Sequence, residues 1–120
     1  MEAKQPSLEL LSARRHQRYN CNIPVSWRLL ERNQAGESRL INLGLGGACV
    51  ELPKVVTGPE TLQITIPLED GTMLTLKGRT IWSSGDDESQ PCRTGIQFIR
   101  MDDPERRALD ALLRRLMKSD

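Results

Sequence analysis

Two short clusters in this 120-residue chain carry side chains and backbone suited to chemistry. Arg14, Arg15 and Arg18 fall within the stretch Arg14-Arg15-His16-Gln17-Arg18, and Asn42-Leu43-Gly44-Leu45-Gly46-Gly47 follows a strand pair later. A guanidinium is a planar fork that grips phosphate bidentately, stacks on flat rings and pairs with the O6/N7 edge of guanine. Gly44, Gly46 and Gly47 place no Cβ between backbone N–H groups and a ligand, and they permit positive φ. Together the clusters describe a site for an anionic, purine-bearing ligand.

Each cluster also has a plainer reading. The arginines can be a solvated charge patch or a nucleic-acid arm. The glycines can be a tight hairpin with a bulge. A net charge of +1 gives no overall field toward DNA or an anionic membrane, and an aromatic content of 3% is thin for base-stacking platforms. The glycine run has no following Lys-Ser/Thr and does not open a helix, so it is neither a phosphate loop nor a dinucleotide fingerprint. Cys21, Cys49 and Cys92 form no CxxC, and the one histidine, His16, has no partner at ligand spacing. They read as buried or half-buried thiols, with no metal site. No nucleophile–base pair is evident, and the paired acids Glu69-Asp70 and Asp86-Asp87-Glu88 fall in turns. The expectation is a non-enzyme with no catalytic residues.

The elements that must position these clusters follow from hydrophobic period. Residues 1–13 are polar apart from Leu8, Leu10 and Leu11 and read as a mobile tail. From Asn22 the period is 2, with Ile23, Val25, Trp27 and Leu29 on one face and Pro24 marking a beginning or an edge. Asn33 to Gly36 supplies a turn before a strand over 37–42; the third strand puts Ala48, Val50 and Leu52 inward. Leu62, Ile64, Ile66 and Leu68 mark a fourth, Glu69-Asp70-Gly71 a hairpin, Met73 to Ser83 a fifth with Leu74, Leu76 and Trp82 in phase, and Gly95 to Ile99 a sixth. Both tryptophans, Trp27 and Trp82, are expected in the core. A helix over about 103–118 has Asp102 or Asp103 as cap and Leu109, Leu112, Leu113, Leu116 and Met117 as its apolar stripe. Six antiparallel strands then one amphipathic helix predict a mainly β fold, a six-stranded antiparallel β-barrel with a C-terminal helix, as one domain over 14–118.

In these residues the chain resembles the PilZ domain family of bacterial cyclic di-GMP receptors. The family signature, RxxxR and then (D/N)xSxxG between the next two strands, is matched by Arg14 and Arg18 and by Asn42 and Gly47; Gly44 stands where the family has serine. Gly95-Ile96-Gln97-Phe98 and the capped last helix also resemble the family's ending. The resemblance implies cyclic di-GMP as ligand, bound by Arg14, Arg15, Arg18, Asn42, Gly44, Gly46 and Gly47, with no further cofactor. It implies a receptor that moves its N-terminal segment on binding and regulates a partner protein not identifiable from the sequence. The alternative is a relative that kept the fold, lost the nucleotide and serves protein–protein interaction. No apolar run reaches the ~20 residues of a membrane span, and the start lacks a signal peptide's apolar stretch, so the expected location is the cytoplasm, without membrane insertion.

Overall fold

The computed structural model describes residues 17–85 and 91–119. Six antiparallel strands close into a barrel in the order β1-β2-β3-β6-β5-β4. They are β1 Arg18–Leu29, β2 Gln34–Gly44, β3 Gly47–Leu52, β4 Thr61–Pro67, β5 Met73–Ser84 and β6 Cys92–Phe98, followed by helix α1, Asp103–Ser119. The tail over 1–13, together with Arg14, Arg15 and His16, lies outside the described residues.

Alternation does the folding. Val25, Trp27 and Leu29 of β1, Leu40 and Leu43 of β2, Val50 of β3, Leu62, Ile64 and Ile66 of β4, Leu74 and Leu76 of β5 and Ile96 of β6 converge in one buried core. Pro24 is exposed on β1 just beyond the stretch Ser26 to Leu29 that pairs with β4, so its missing N–H costs no ladder bond on that side. The Glu69-Asp70-Gly71 hairpin forms as expected: Gly71 adopts φ 91, and the N–H of Leu68 bonds the carbonyl of Thr72 at 2.8 Å.

Three strand starts differ from the pattern-based expectation, each for a physical reason. The first strand starts at Arg18 rather than Asn22, because Arg18 to Asn20 pair with Gly44 to Asn42 and Tyr19 packs against the core between two polar neighbours. A register shift falls between Asn20 and Ile23, yet the alternation of burial on β1 runs unbroken from Tyr19 through Cys21 and Ile23 to Leu29. The β1–β2 turn is tighter than expected: Asn33 takes the left-handed conformation at φ 55, and β2 begins at Gln34. Gly36 is thus a strand residue, and its bare Cα receives the Trp27 indole; a Cβ there would lie 2.8 Å from Cζ2. The sixth strand begins at Cys92 rather than Gly95, because Cys92 to Thr94 pair with Leu52 to Val50.

Trp82 is the main correction to the core. A bulge in β5 breaks register between Thr80 and Trp82, so the inward phase of Leu74, Leu76 and Thr80 passes to Ser83. Ser83 Oγ then meets Thr94 Oγ1 at 3.0 Å and accepts the N–H of Val56 at 3.0 Å. Trp82 is turned outward and is 45% exposed.

Helix α1 begins with a capping box. Asp102 Oδ1 accepts the N–H of Glu105 at 2.8 Å, and Glu105 Oε1 accepts that of Asp102 at 3.1 Å. Leu109 and Leu113 are buried where the helix packs on β1 and β5, and Leu112 and Leu116 are half-buried. Fully burying a leucine contributes about 1.5–3 kcal/mol, which fixes the helix to the barrel. Met117 leaves the expected stripe: at the last turn it is exposed and touches Tyr19, whose hydroxyl lies 3.7 Å from its Sδ. Arg115 pairs with Glu69 and Arg114 with Asp110, tying the helix end to the β4–β5 hairpin and to itself.

Candidate functional site

The start of β1 and the end of β2 bring the two clusters together. Arg18 is directly opposite Gly44, and Asn20 is opposite Asn42. The turn to β3 contains only Leu45 and Gly46, so Gly47 returns immediately beside Gly44. The half-buried Arg18 reaches across β2: its Nη1 donates to Asn42 Oδ1 at 3.4 Å, and a Cβ on Gly47 would come 2.9 Å from its Nη2. The structure therefore assembles Arg18, Asn42, Gly44 and Gly47. Arg14 and Arg15 lie outside the described residues.

The glycines do not work through positive φ. That conformation occurs at Gly58, Gly71 and Gly85. Gly44 and Gly47 are needed for close approach of the chain to itself. A Cβ on Gly44 would sit 2.7 Å from the Gln17 carbonyl oxygen and 3.1 Å from Arg18 Cγ, and one on Gly47 would overlap the Ile96 carbonyl oxygen. Gly46 contributes through its backbone instead, its carbonyl accepting the N–H of Phe98 at 2.9 Å and joining the turn to the end of β6.

Directly opposed residues share a face, so register defines which side chains surround the site. One row on the outer side of the sheet runs Asn20, Asn42, Cys49, Gly95, Trp82 across five strands, with Cys49 and Gly95 themselves covered. The neighbouring inward row, Leu43, Ala48, Ile96 and Thr80, is buried throughout. Trp82 lies flat against Gly95, where any Cβ would collide with its indole. It stands three inter-strand steps from Asn42, about 14 Å along the sheet. Gln97, opposite Gly47, and Arg93, opposite Glu51, are exposed on the same side.

Trp82, Arg93 and Gln97 are surface candidates that pattern reasoning missed. The alternation Arg93-Thr94-Gly95-Ile96-Gln97 carried the signal for two of them. Trp82 gave none, because the bulge that turns it outward has no mark in the sequence.

Burial pushes the Cys49 thiol upward in pKa, while the Arg93 and Arg18 guanidinium groups pull it back. Cys21, half-buried with its Sγ 3.5 Å from the Leu40 carbonyl, is raised to about 11 by desolvation and by neighbouring Cys49. Both stay protonated at neutral pH and act as packing groups. Among the described residues no three His, Cys, Asp or Glu side chains are grouped to hold a metal ion.

A family model for the PilZ domain matches residues 12–115. The chain belongs to the PilZ domain family. Solved PilZ structures share its architecture at low identity. The PilZ domain of CeSA from a cellulose-synthesizing bacterium is 21% identical, covering 84% of this chain and 98% of that one, with a TM-score of 0.65. The PilZ domain of Escherichia coli YcgR, solved with cyclic di-GMP, is 18% identical over 88% of this chain and 92% of its own, with a TM-score of 0.71. The K. pneumonia MrkH–cyclic di-GMP complex is 12% identical over 88% of this chain and 53% of its own, at 0.64. At these identities the likeness is one of fold. No protein of curated function matches in sequence. No described helix of this PilZ domain is long and apolar enough to cross a membrane.

Proposed function

We propose that this PilZ domain is a receptor for cyclic di-GMP, acting without catalysis in the cytoplasm to regulate a partner protein. The observation that carries the reading is Arg18 held over Asn42 and Gly47 on the outer barrel face. Cyclic di-GMP presents two phosphates and two guanines, and arginine suits both. In this reading residues 14–118 form the receptor and 1–13 a tail. Arg14, Arg15 and Arg18 take phosphate oxygens and guanine edges, Asn42 meets a base edge, and the backbone at Gly44, Gly46 and Gly47 lies under the ligand. Trp82, on the same face, offers a ring for a second base. Ordering of the segment that carries Arg14 and Arg15 is the signal passed to the partner, its entropy cost met by binding.

The test is a calorimetric titration of the purified chain with cyclic di-GMP and with GMP. Saturable binding at micromolar or tighter affinity, selective for the cyclic dinucleotide, is expected. At 100 times Kd the folded state gains about 2.7 kcal/mol, which raises the melting temperature. A flat titration and unchanged melting at high ligand concentration would reject this reading. It would favour a nucleotide-free interaction domain, the reading that Gly44 in the serine position supports.

A further inference from the structure

Strand β2 outruns its neighbour β3. It pairs with β1 from Gln34 onward, but β3 first meets it at Leu40, opposite Val50. From Gln34 to Ser38 the other edge of β2 has no strand beside it among the described residues, a free edge of about 17 Å. The seam is pinned where it opens: the Ser38 hydroxyl donates to the Glu51 carbonyl. Beyond that point it widens into a cleft of about 710 Å³ between β2 and the chain after β3.

The cleft makes three chemical demands. Its floor is apolar, with Trp27, Leu29, Leu52 and Val56 buried and Val55 standing exposed at the wall. Trp27 is only 6% exposed, yet its indole N–H has no acceptor among the described residues. A buried donor left unmade is costly, and here it borders a cavity. The rim holds Arg32, Arg39 and Lys54 against Glu37 and Glu51. Arg32 is engaged by Glu60 and Arg39 by Asn22, whereas Lys54 has no ion-pair partner among the described residues.

We propose that this seam docks an extended peptide segment of a partner protein, which adds as a strand to the edge of β2. The segment's main chain pairs the Gln34–Ser38 edge, as in other cases of strand addition. One of its carbonyls takes the Trp27 indole N–H. An apolar side chain fills the floor beside Val55 and Val56, and a carboxylate meets Lys54. A small molecule or a nucleic acid would leave the strand edge unpaired, having no peptide main chain to add to it. The seam lies at the far end of β2 from Gly44 and needs no nucleotide.

The experiment pans the full 120-residue chain, without nucleotide, against phage-displayed random dodecapeptides. A synthetic copy of the enriched peptide is then titrated into ¹⁵N-labelled protein. Expected are sequences alternating apolar residues with an acid, slowed amide exchange within residues 34–38, and a shifted Trp27 indole resonance while that of Trp82 stays still. Val55→Glu and Lys54→Glu, both at the surface, should each weaken the peptide roughly tenfold with unchanged melting. No enrichment, perturbation centred elsewhere, or both variants binding like the parent would overturn the proposal. So would concentration-dependent protection of the same amides without peptide, which assigns the edge to a second copy. Because no nucleotide is present, failure here leaves the cyclic di-GMP reading intact.

Discussion

The guanidinium of Arg18 lies so close to Gly47 that a Cβ there would come 2.9 Å from its Nη2, while colliding with the Ile96 carbonyl from the other side. Gly47 is thus the point where β3, β6 and the arginine meet. Gly47→Ala should destabilise the fold by about 1–3 kcal/mol, since the Ile96 backbone cannot move aside cheaply. It should also weaken cyclic di-GMP by displacing Arg18. Urea unfolding and calorimetry on the same preparation check both; an alanine variant as stable as the parent would refute the contact.

Gly44→Ser is expected to weaken binding. The family motif alone suggests the opposite, a restored hydroxyl beside the ligand. The φ of Gly44 is no obstacle, but a Cβ would lie 2.7 Å from the Gln17 carbonyl oxygen and 3.1 Å from Arg18 Cγ. The start of β1 must then shift, and Arg18 with it. Paired measurements of Kd and unfolding free energy decide: tighter binding at parental stability would show that Gln17 yields freely.

Arg18→Ala and Arg14→Ala should each cost roughly 10- to 150-fold in affinity, from charge-assisted bonds of about 1.5–3 kcal/mol. Arg18 heads β1 without entering the core, so circular dichroism and melting should barely change. Titration of each variant gives the answer, and an arginine whose loss leaves Kd unaltered belongs to solvent.

The barrel and its helix were legible because β4, most of β1 and α1 keep strict periods, with Leu62, Ile64 and Ile66 all inward. The proximity of Arg18 to Asn42 was legible from motif order. Three features were not. The bulge before Trp82 inserts one residue without any glycine or proline to announce it. The strand at Arg18 to Asn20 is polar apart from Tyr19, whose single ring packed on the core is too short a stretch of the apolar phase to mark a strand start. The work of Gly44 and Gly47 depends on which backbone crosses above them, namely Gln17 and Ile96. Sequence spacing carries none of these long-range facts.

Two exposed carboxylates should shape acid stability. The Thr72 hydroxyl and N–H hold the Asp70 carboxyl below its usual range, and the Thr61 N–H does the same for Glu31. A depressed folded-state pKa adds stability that is complete above the unfolded values of about 4 and disappears as pH falls through the folded ones. The Glu31→Gln, Asp70→Asn double variant should therefore differ from the parent near neutrality and converge on it in strong acid. Urea midpoints between pH 7 and 2 test this; a gap that widens on acidification would reverse the sign.

Trp82 offers the most direct optical test of where the ligand sits. It is exposed on the row that contains Asn42, whereas Trp27 is buried at the far seam. Cyclic di-GMP spanning that row should stack a guanine on Trp82 and quench its emission, leaving the Trp27 signal unchanged. Stacking is worth about 1–3 kcal/mol per base, so Trp82→Ala should weaken binding by roughly 5- to 150-fold. Trp82→Phe retains a ring over Gly95 and should recover part of that loss while abolishing the quench. If Trp82→Ala binds like the parent and quenching is absent, the ligand ends at β3 and the aromatic face serves another purpose.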